Sequence, residues 1–386
     1  MSAFALLSLL AVTLFIPALT NDDDEDTETT VEPEAPVEPE VIEGTADADL
    51  LTALSGQEIN GLDGDDTLST AGDSDGSIIN GDAGNDSLEL GGTNATARGG
   101  AGDDTIISTN ILNGVAEGGD GNDDITFTPL RPGDALDGSE VVDDTSRVDG
   151  GAGNDTITAG GYGGDVFGGE GDDEIYAQGS LDGVDGGAGN DQIFYDSSVF
   201  DGGGTPVLGG EGNDTISHSS FDNNTGGLRG ANIDAGAGED TIEDDIYIGA
   251  DADTVVDTLT GGLGADSFVM SFYDTETAGD DRDAGLVATI TDFDTDEDVV
   301  LLIPDVQRAT YEGDNAGIIG QITGFELVEA DDGSFTDVIF EATSDAPDGS
   351  TVSGTIRLLG TAGVTDTNIL ISRPTVAVTE QTLAGS

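Results

Sequence analysis

Residues 150–194 read GGAGNDTITAGGYGGDVFGGEGDDEIYAQGSLDGVDGGAGNDQIF. One nonapeptide occurs three times in this stretch, at 150–158, 168–176 and 186–194, each copy spelling G-G-x-G-x-D-x-U-x with U a large apolar residue. In Thr156-Ile157-Thr158 the central side chain points one way and its neighbours the other, as a three-residue strand requires. The six residues before the strand are glycine-rich because a tight turn visits φ > 0 and brings backbone close to whatever it encloses. Copies extend in both directions. Segments 99–107, 118–126 and 209–217 are complete, and 261–269 is complete with Phe268 as U. Segments 61–69, 81–89 and 235–243 lack one of the first two glycines, and 44–51 reads as a worn starting copy.

The spacing of the sixth-position aspartates gives the coil. They stand at 66, 86, 104, 123, 155, 173, 191, 214, 240 and 266, with several steps of 18 or 19. Eighteen is two nonapeptides, so one coil holds two strands and two turns. A second strand then needs an apolar residue nine positions before each U. Those residues are Ile59, Ile79, Ala97, Ala116, Val148, Val166, Val184, Val207, Ile233 and Leu259, all apolar. Chance would give this on the order of once in 10⁴–10⁵ trials at the chain's apolar frequency. From U to the next opposite-strand residue the count varies: nine after Leu88, Ile157 and Ile175, 23 after Ile125, 14 after Ile193, 17 after Ile216 and Ile242. One edge therefore keeps its aspartate turns in register, and the other takes every insertion (127–147, 195–206, 218–232 and 244–258).

From about 44 to 270 the chain resembles the repeats-in-toxin (RTX) family, also called hemolysin-type calcium-binding repeats. The stretch 288–302, ATITDFDTDEDVVLL, resembles the segment that follows the repeats in secreted serralysin-type proteins. The resemblance implies an all-β, right-handed parallel β-roll of two-strand coils, with Ca²⁺ between adjacent turns and ligands shared from coil to coil. Aspartate oxygens with backbone carbonyls are the hard donor set that Ca²⁺ prefers. The expected ligands are Asp155, Asp173, Asp191, Asp86, Asp104, Asp123, Asp214, Asp66, Asp240 and Asp266, with the backbone of Gly151, Gly153, Gly169, Gly171, Gly187 and Gly189. Asp266 reads as the end of the row. At position five, Asn154, Asp172 and Asn190 read either as ligands or as turn formers.

The 81 acidic and eight basic residues, all arginine, leave a net charge of −73. Nothing here could neutralise nucleic-acid phosphates, and without a counterion the stacked aspartates would repel one another. No cysteine is present and His218 is the single histidine, which excludes thiolate and two-histidine zinc sites. Residues 1–20 contain an apolar run at 3–19, read as an uncleaved membrane anchor, a cleaved signal or a misplaced start. Residues 21–43 read as an acidic, proline-punctuated tether, 44–270 as the roll, 271–375 as a β-rich capping domain and 376–386 as a tail. Strands are predicted at 286–290, 299–303, 318–322, 325–329, 338–341, 355–359 and 368–371. Asp292, Asp294, Asp296 and Asp298 alternate like the start of an EF-hand, but Glu297 stands where its glycine is required. Gly72-Asp73-Ser74-Asp75-Gly76 spells G-x-S-x-G without the strand and helix that motif needs. His218 reads as a surface residue.

The expected function is calcium binding by an extracellular or surface-tethered roll that folds with its ions, with a structural or interaction role and no catalysis of its own. The alternative is a secreted protease- or lipase-like hydrolase that uses the repeats for export. No protein or glycan partner is readable.

Overall fold

The computed structural model describes residues 40–72, 75–129, 145–197, 204–219, 230–248, 256–274, 282–304, 319–344, 351–360 and 363–372. They form strands only. The first run comprises β1 (Val41–Glu43), β2 (Leu50–Ala53), β3 (Glu58–Asp63), β4 (Thr67–Thr70), β5 (Ile78–Ala83), β6 (Ser87–Thr93), β7 (Thr96–Ala101), β8 (Thr105–Leu112), β9 (Val115–Asp120) and β10 (Asp124–Pro129). The second comprises β11 (Arg147–Ala152), β12 (Thr156–Tyr162), β13 (Asp165–Glu170), β14 (Glu174–Ser180), β15 (Gly183–Ala188), β16 (Gln192–Asp196), β17 (Pro206–Glu211), β18 (Thr215–Ser219), β19 (Asn232–Ala237) and β20 (Thr241–Ile248). The last comprises β21 (Asp257–Leu263), β22 (Ser267–Asp274), β23 (Arg282–Ile290), β24 (Val299–Pro304), β25 (Ile319–Glu329), β26 (Phe335–Ser344), β27 (Thr351–Leu359) and β28 (Ile369–Ile371).

Odd strands β1 to β23 pair in parallel in one sheet, and even strands β2 to β24 with β28 form a second. This is the two-strand coil of a parallel β-roll. The opposite-strand residues Ile59 to Leu259 pair rung by rung, Val148 with Val166 and Val166 with Val184 for example, and all ten are buried. The U residues do the same in the other sheet, Ile157 with Ile175 and Ile175 with Ile193, so the two columns fill the space between the sheets. The residue two places after U also faces inward. That row runs through Ala159, Ala177, Tyr195, His218, Asp244 and Met270, all buried. His218 is therefore a core residue, 2% exposed rather than on the surface. Tyr195, His218 and Asp244 belong to strands, so the insertions begin later than their sequence reading placed them.

The ten connections from β3, β5, β7, β9, β11, β13, β15, β17, β19 and β21 to the following strand are each three residues long. The return connections vary from two residues, as after β12, to seventeen after β10. The aspartate edge is uniform because each turn copies the one beneath it. The N–H of Gly153 donates to Glu170 O and that of Gly171 to Ala188 O, both at 2.7 Å. Gly151 (φ 114°) and Gly153 (φ 134°) occupy a conformation that side chains rarely adopt, which fixes glycine at positions two and four. Leu62 (φ 78°) and Asp82 (φ 72°) hold it without glycine, in the two copies that lack the second glycine.

The stack starts earlier and ends later than 44–270. Val41–Glu43 lies inside the stretch read as a tether, yet pairs with β3. At the other end β23 pairs with β21, β24 with β22 and β28 with β24, all parallel. Beyond them β27 pairs parallel with β23, and β26 and β25 continue antiparallel. β25 is one strand where two were read, its register shifting between Ile322 and Gly324. The Phe340 ring of β26 packs against Phe272 of β22 with centroids 4.2 Å apart. No helix among the described residues is long and apolar enough to cross a membrane; residues 3–19, 376–386 and the Asp73-Ser74 pair lie outside them.

Candidate metal centre

All ten predicted aspartates lie on the uniform edge and are 1–2% exposed. One oxygen of each is occupied in the same way. Asp173 Oδ1 accepts the N–H of Asp155 at 2.7 Å, and Asp191 Oδ1 accepts that of Asp173 at 2.8 Å. The relation repeats through Asp66, Asp86, Asp104, Asp123 and Asp155, and onward through Asp214, Asp240 and Asp266. The other oxygen has no such partner. Oδ2 of Asp66, Asp86, Asp104, Asp123, Asp155, Asp173, Asp191, Asp214 and Asp240 is buried without a hydrogen bond among the described residues. A buried carboxylate oxygen left bare costs several kcal/mol unless a cation meets it.

The ladder is two members longer than the sequence reading, and its ends differ from its middle. Asp49 of the worn copy donates its N–H to Asp66 Oδ1, while its own Oδ2 accepts from Thr45 N and Oγ1. Asp266 is not terminal: its N–H donates to Asp298 Oδ1 at 2.9 Å. Asp298 Oδ2 accepts the N–H of Asp294 at 2.7 Å. Protein donors thus fill Oδ2 at both ends and leave it open in nine places between. In the sequence Asp298 reads only as part of the EF-hand-like run that Glu297 excludes. The pairing of Phe268 with Val300 puts it in register.

Eight of the nine open oxygens, all but that of Asp240, lie against the first glycine of their copy and close to a carbonyl of the next coil. A methyl added at Gly168 would collide with Asp173 Oδ2 and with the carbonyl oxygen of Gly186 in the next coil. The same holds at Gly99 for Asp104 and Gly118, and at Gly150 for Asp155 and Gly168. Carbonyls of the second and fourth glycines point from one coil to the next. Gly151 O lies where a side chain on Gly169 would stand, and Gly153 O where one on Gly171 would. A carboxylate oxygen and a carbonyl oxygen meet at Gly168 and its counterparts, the hard donors that Ca²⁺ takes, so the residues fit Ca²⁺. Position five is otherwise engaged. Oδ1 of Asn154 accepts Asp172 N–H (3.1 Å) and that of Asp172 accepts Asn190 N–H (2.7 Å), on exposed side chains that order the turn.

Burial pushes Asp104 and Asp173 up to about 7. It pushes Asp123, Asp155, Asp191, Asp214, Asp240 and Asp266 up to about 6. The N–H on Oδ1 pulls each back in part. Without a cation the folded ladder therefore holds protons more tightly than exposed carboxyls do.

The family of the RTX calcium-binding nonapeptide repeat, with four copies, matches residues 90–108, 143–161 and 160–193. Comparison with curated proteins gives no match.

Proposed function

We propose, for a chain built on RTX calcium-binding nonapeptide repeats that bind several Ca²⁺ ions, that the ions decide whether its roll folds and that the folded roll works outside the cell as a scaffold. The observation that carries this is the row of nine buried, unpartnered Oδ2 atoms closed at both ends by protein donors. Oδ2 of Asp66, Asp86, Asp104, Asp123, Asp155, Asp173, Asp191, Asp214 and Asp240 would hold the ions, with Asp266 on the last repeat turn. The carbonyls of Gly151, Gly153, Gly169, Gly171, Gly187 and Gly189 and their counterparts complete the shells. Bound calcium supplies positive charge between carboxylates that otherwise stack in like-charged rows. At 100 times its dissociation constant each site adds about 2.7 kcal/mol. Eight or nine such sites exceed the roughly 5–15 kcal/mol of an ordinary domain.

The low calcium of the cytosol would leave the chain open, and millimolar calcium outside would close it. Residues 1–20 would serve as an anchor or leader and the acidic residues that follow as a tether, ending near β1. The variable edge would face partners, because turn-constrained loops on a rigid scaffold are where binding surfaces usually form. Circular dichroism during calcium titration of the calcium-stripped chain tests the folding claim. Cooperative gain of β-structure is expected, and identical spectra with and without the ion would refute it.

A further inference from the structure

Away from the aspartate edge, the inward row two places after U turns polar on two successive rungs. Ala177 and Tyr195 precede His218 and Asp244, and Met270 and Leu302 follow. His218 pairs directly with Asp244 across β18 and β20. Asp257, from β21 in the facing sheet, comes to the same point. One ligand-type atom from each of His218, Asp244 and Asp257 lies within 4.8 Å of the other two. All three residues are buried, at 2%, 1% and 6% exposure. His218 Nδ1 stands 2.9 Å from Asp244 Oδ1, and its Nε2 is 3.1 Å from Ser197 Oγ. Asp257 Oδ1 accepts Ala231 N–H at 2.5 Å. Asp244 Oδ2 is fully buried with no hydrogen-bond partner among the described residues.

We propose that His218, Asp244 and Asp257 form a transition-metal site of the zinc class, separate from the calcium ladder. Burial and neighbouring carboxylates push both carboxyls towards the protonated form, and a divalent ion held between them would replace the protons and cancel both charges beside a neutral imidazole. The donor set of one nitrogen and two oxygens suits Zn²⁺ or a similar borderline metal. Calcium is excluded by the imidazole and by the small donor number, since it takes six to eight oxygens. The 2.9 Å between Nδ1 and Asp244 Oδ1 is near the roughly 3.3 Å that separates two ligands of a tetrahedral zinc. Ser197 Oγ, accepting from Nε2–H, would hold the tautomer that turns the Nδ1 lone pair inward, the usual task of a ligand histidine's outer partner. Ser197, His218 and Asp244 also line up in the order of a hydrolytic triad. That reading fails on access, because Ser197 is only 9% exposed and His218 2%, and it leaves Asp257 without a role.

Because His218 is the chain's only histidine, its ring resonance reports this site alone, whatever the 81 acidic residues bind. The full chain without a histidine tag, folded in saturating calcium, is titrated with Zn²⁺. We expect the His218 ring signals to move in slow exchange and to stop at one equivalent. Calorimetry should show one tight ion per chain, weakened at least about 100-fold by Asp257→Asn. An unmoved His218 resonance would overturn the proposal, as would unchanged zinc affinity in Asp257→Asn. The wild-type resonance decides by itself where that variant does not fold.

Discussion

Replacing Asp173 with asparagine changes one atom of the ladder and keeps its shape. The amide oxygen still accepts the N–H of Asp155, as Oδ1 now does at 2.7 Å. The NH₂ group stands where Oδ2 faces the Gly186 carbonyl, and it repels a cation instead of binding one. Asp155 and Asp191 flank it at 18 residues on either side, so one or two sites lose a ligand. Each site is worth about 2.7 kcal/mol at 100 times its dissociation constant, so stability in saturating calcium falls by about 3–5 kcal/mol. Spread over about seven remaining ions, that loss raises the calcium midpoint of folding about two- to four-fold. Asp298→Asn is the matched control, because Asp298 Oδ2 already accepts the N–H of Asp294. It should lower stability by about 1–2 kcal/mol and move the midpoint less than about 1.5-fold. Circular dichroism during calcium titration, with urea unfolding at saturating calcium, measures both quantities. Equal midpoint shifts in the two variants, or none for Asp173→Asn, would show that the open oxygens are not where the ions bind.

Calcium-stripped protein should gain β-structure as pH falls from 8 to 4. Carboxyls held at about 6 to 7 in the fold against an ordinary 3.8 stabilise it fully below 3.8 and lose that contribution as pH rises through 6 to 7. With calcium bound the slope should reverse, because protons compete for the same oxygens, and parallel slopes in the two titrations would contradict this. Gly153→Ala should destabilise the calcium form by about 2 kcal/mol or more, since its φ is 134° and a methyl there meets the Gly121 carbonyl. Leu62→Gly, at φ 78°, should stabilise by about 1 kcal/mol, and urea unfolding reads both signs. Deleting residues 130–144 leaves Thr145 and Ser146 between β10 and β11, a connection as short as Asn113–Gly114, so the calcium midpoint should stay unchanged in the same titration.

The coil was legible because the nonapeptide writes turn and strand together and its partner strand sits a constant nine residues earlier. That interval is constant because the aspartate edge permits no insertion. The worn copy at 44–51 was legible too, since Leu51 still pairs with Leu68. Asp298 escaped because its turn has lost the glycines and a longer connection precedes it. Only the pairing of Val300 with Phe268 restores the register. His218 escaped for a different reason. Read as a three-residue strand, the repeat ends one place after U, so anything beyond was assigned to the variable edge. Strands such as β18 and β20 run further, and the residue two after U turns back into the core. Extending the alternation by one step would have exposed a row in which Ala159, Ala177 and Met270 are apolar while His218 and Asp244 are not.

Those two features, the extra ladder members and the polar rungs, separate what the repeat dictates from what this chain adds. A repeating turn by itself sets no limit to its ladder, and an open final carboxylate would expose half a site to solvent. Here Thr45 donates twice to Asp49 Oδ2, and Asp294 donates to Asp298 Oδ2. Neither donor belongs to the nonapeptide. Each meets an oxygen that stays open elsewhere in the row, so the boundary of the open row is written in hydrogen bonds rather than in the repeat count. The polar rungs follow the opposite logic. His218 and Asp244 sit where the repeat imposes no polar group, within the apolar column, and the unpartnered Asp244 Oδ2 is costly there unless something meets it. A chain that only needed to stack would keep alanine there, as it does at 159 and 177.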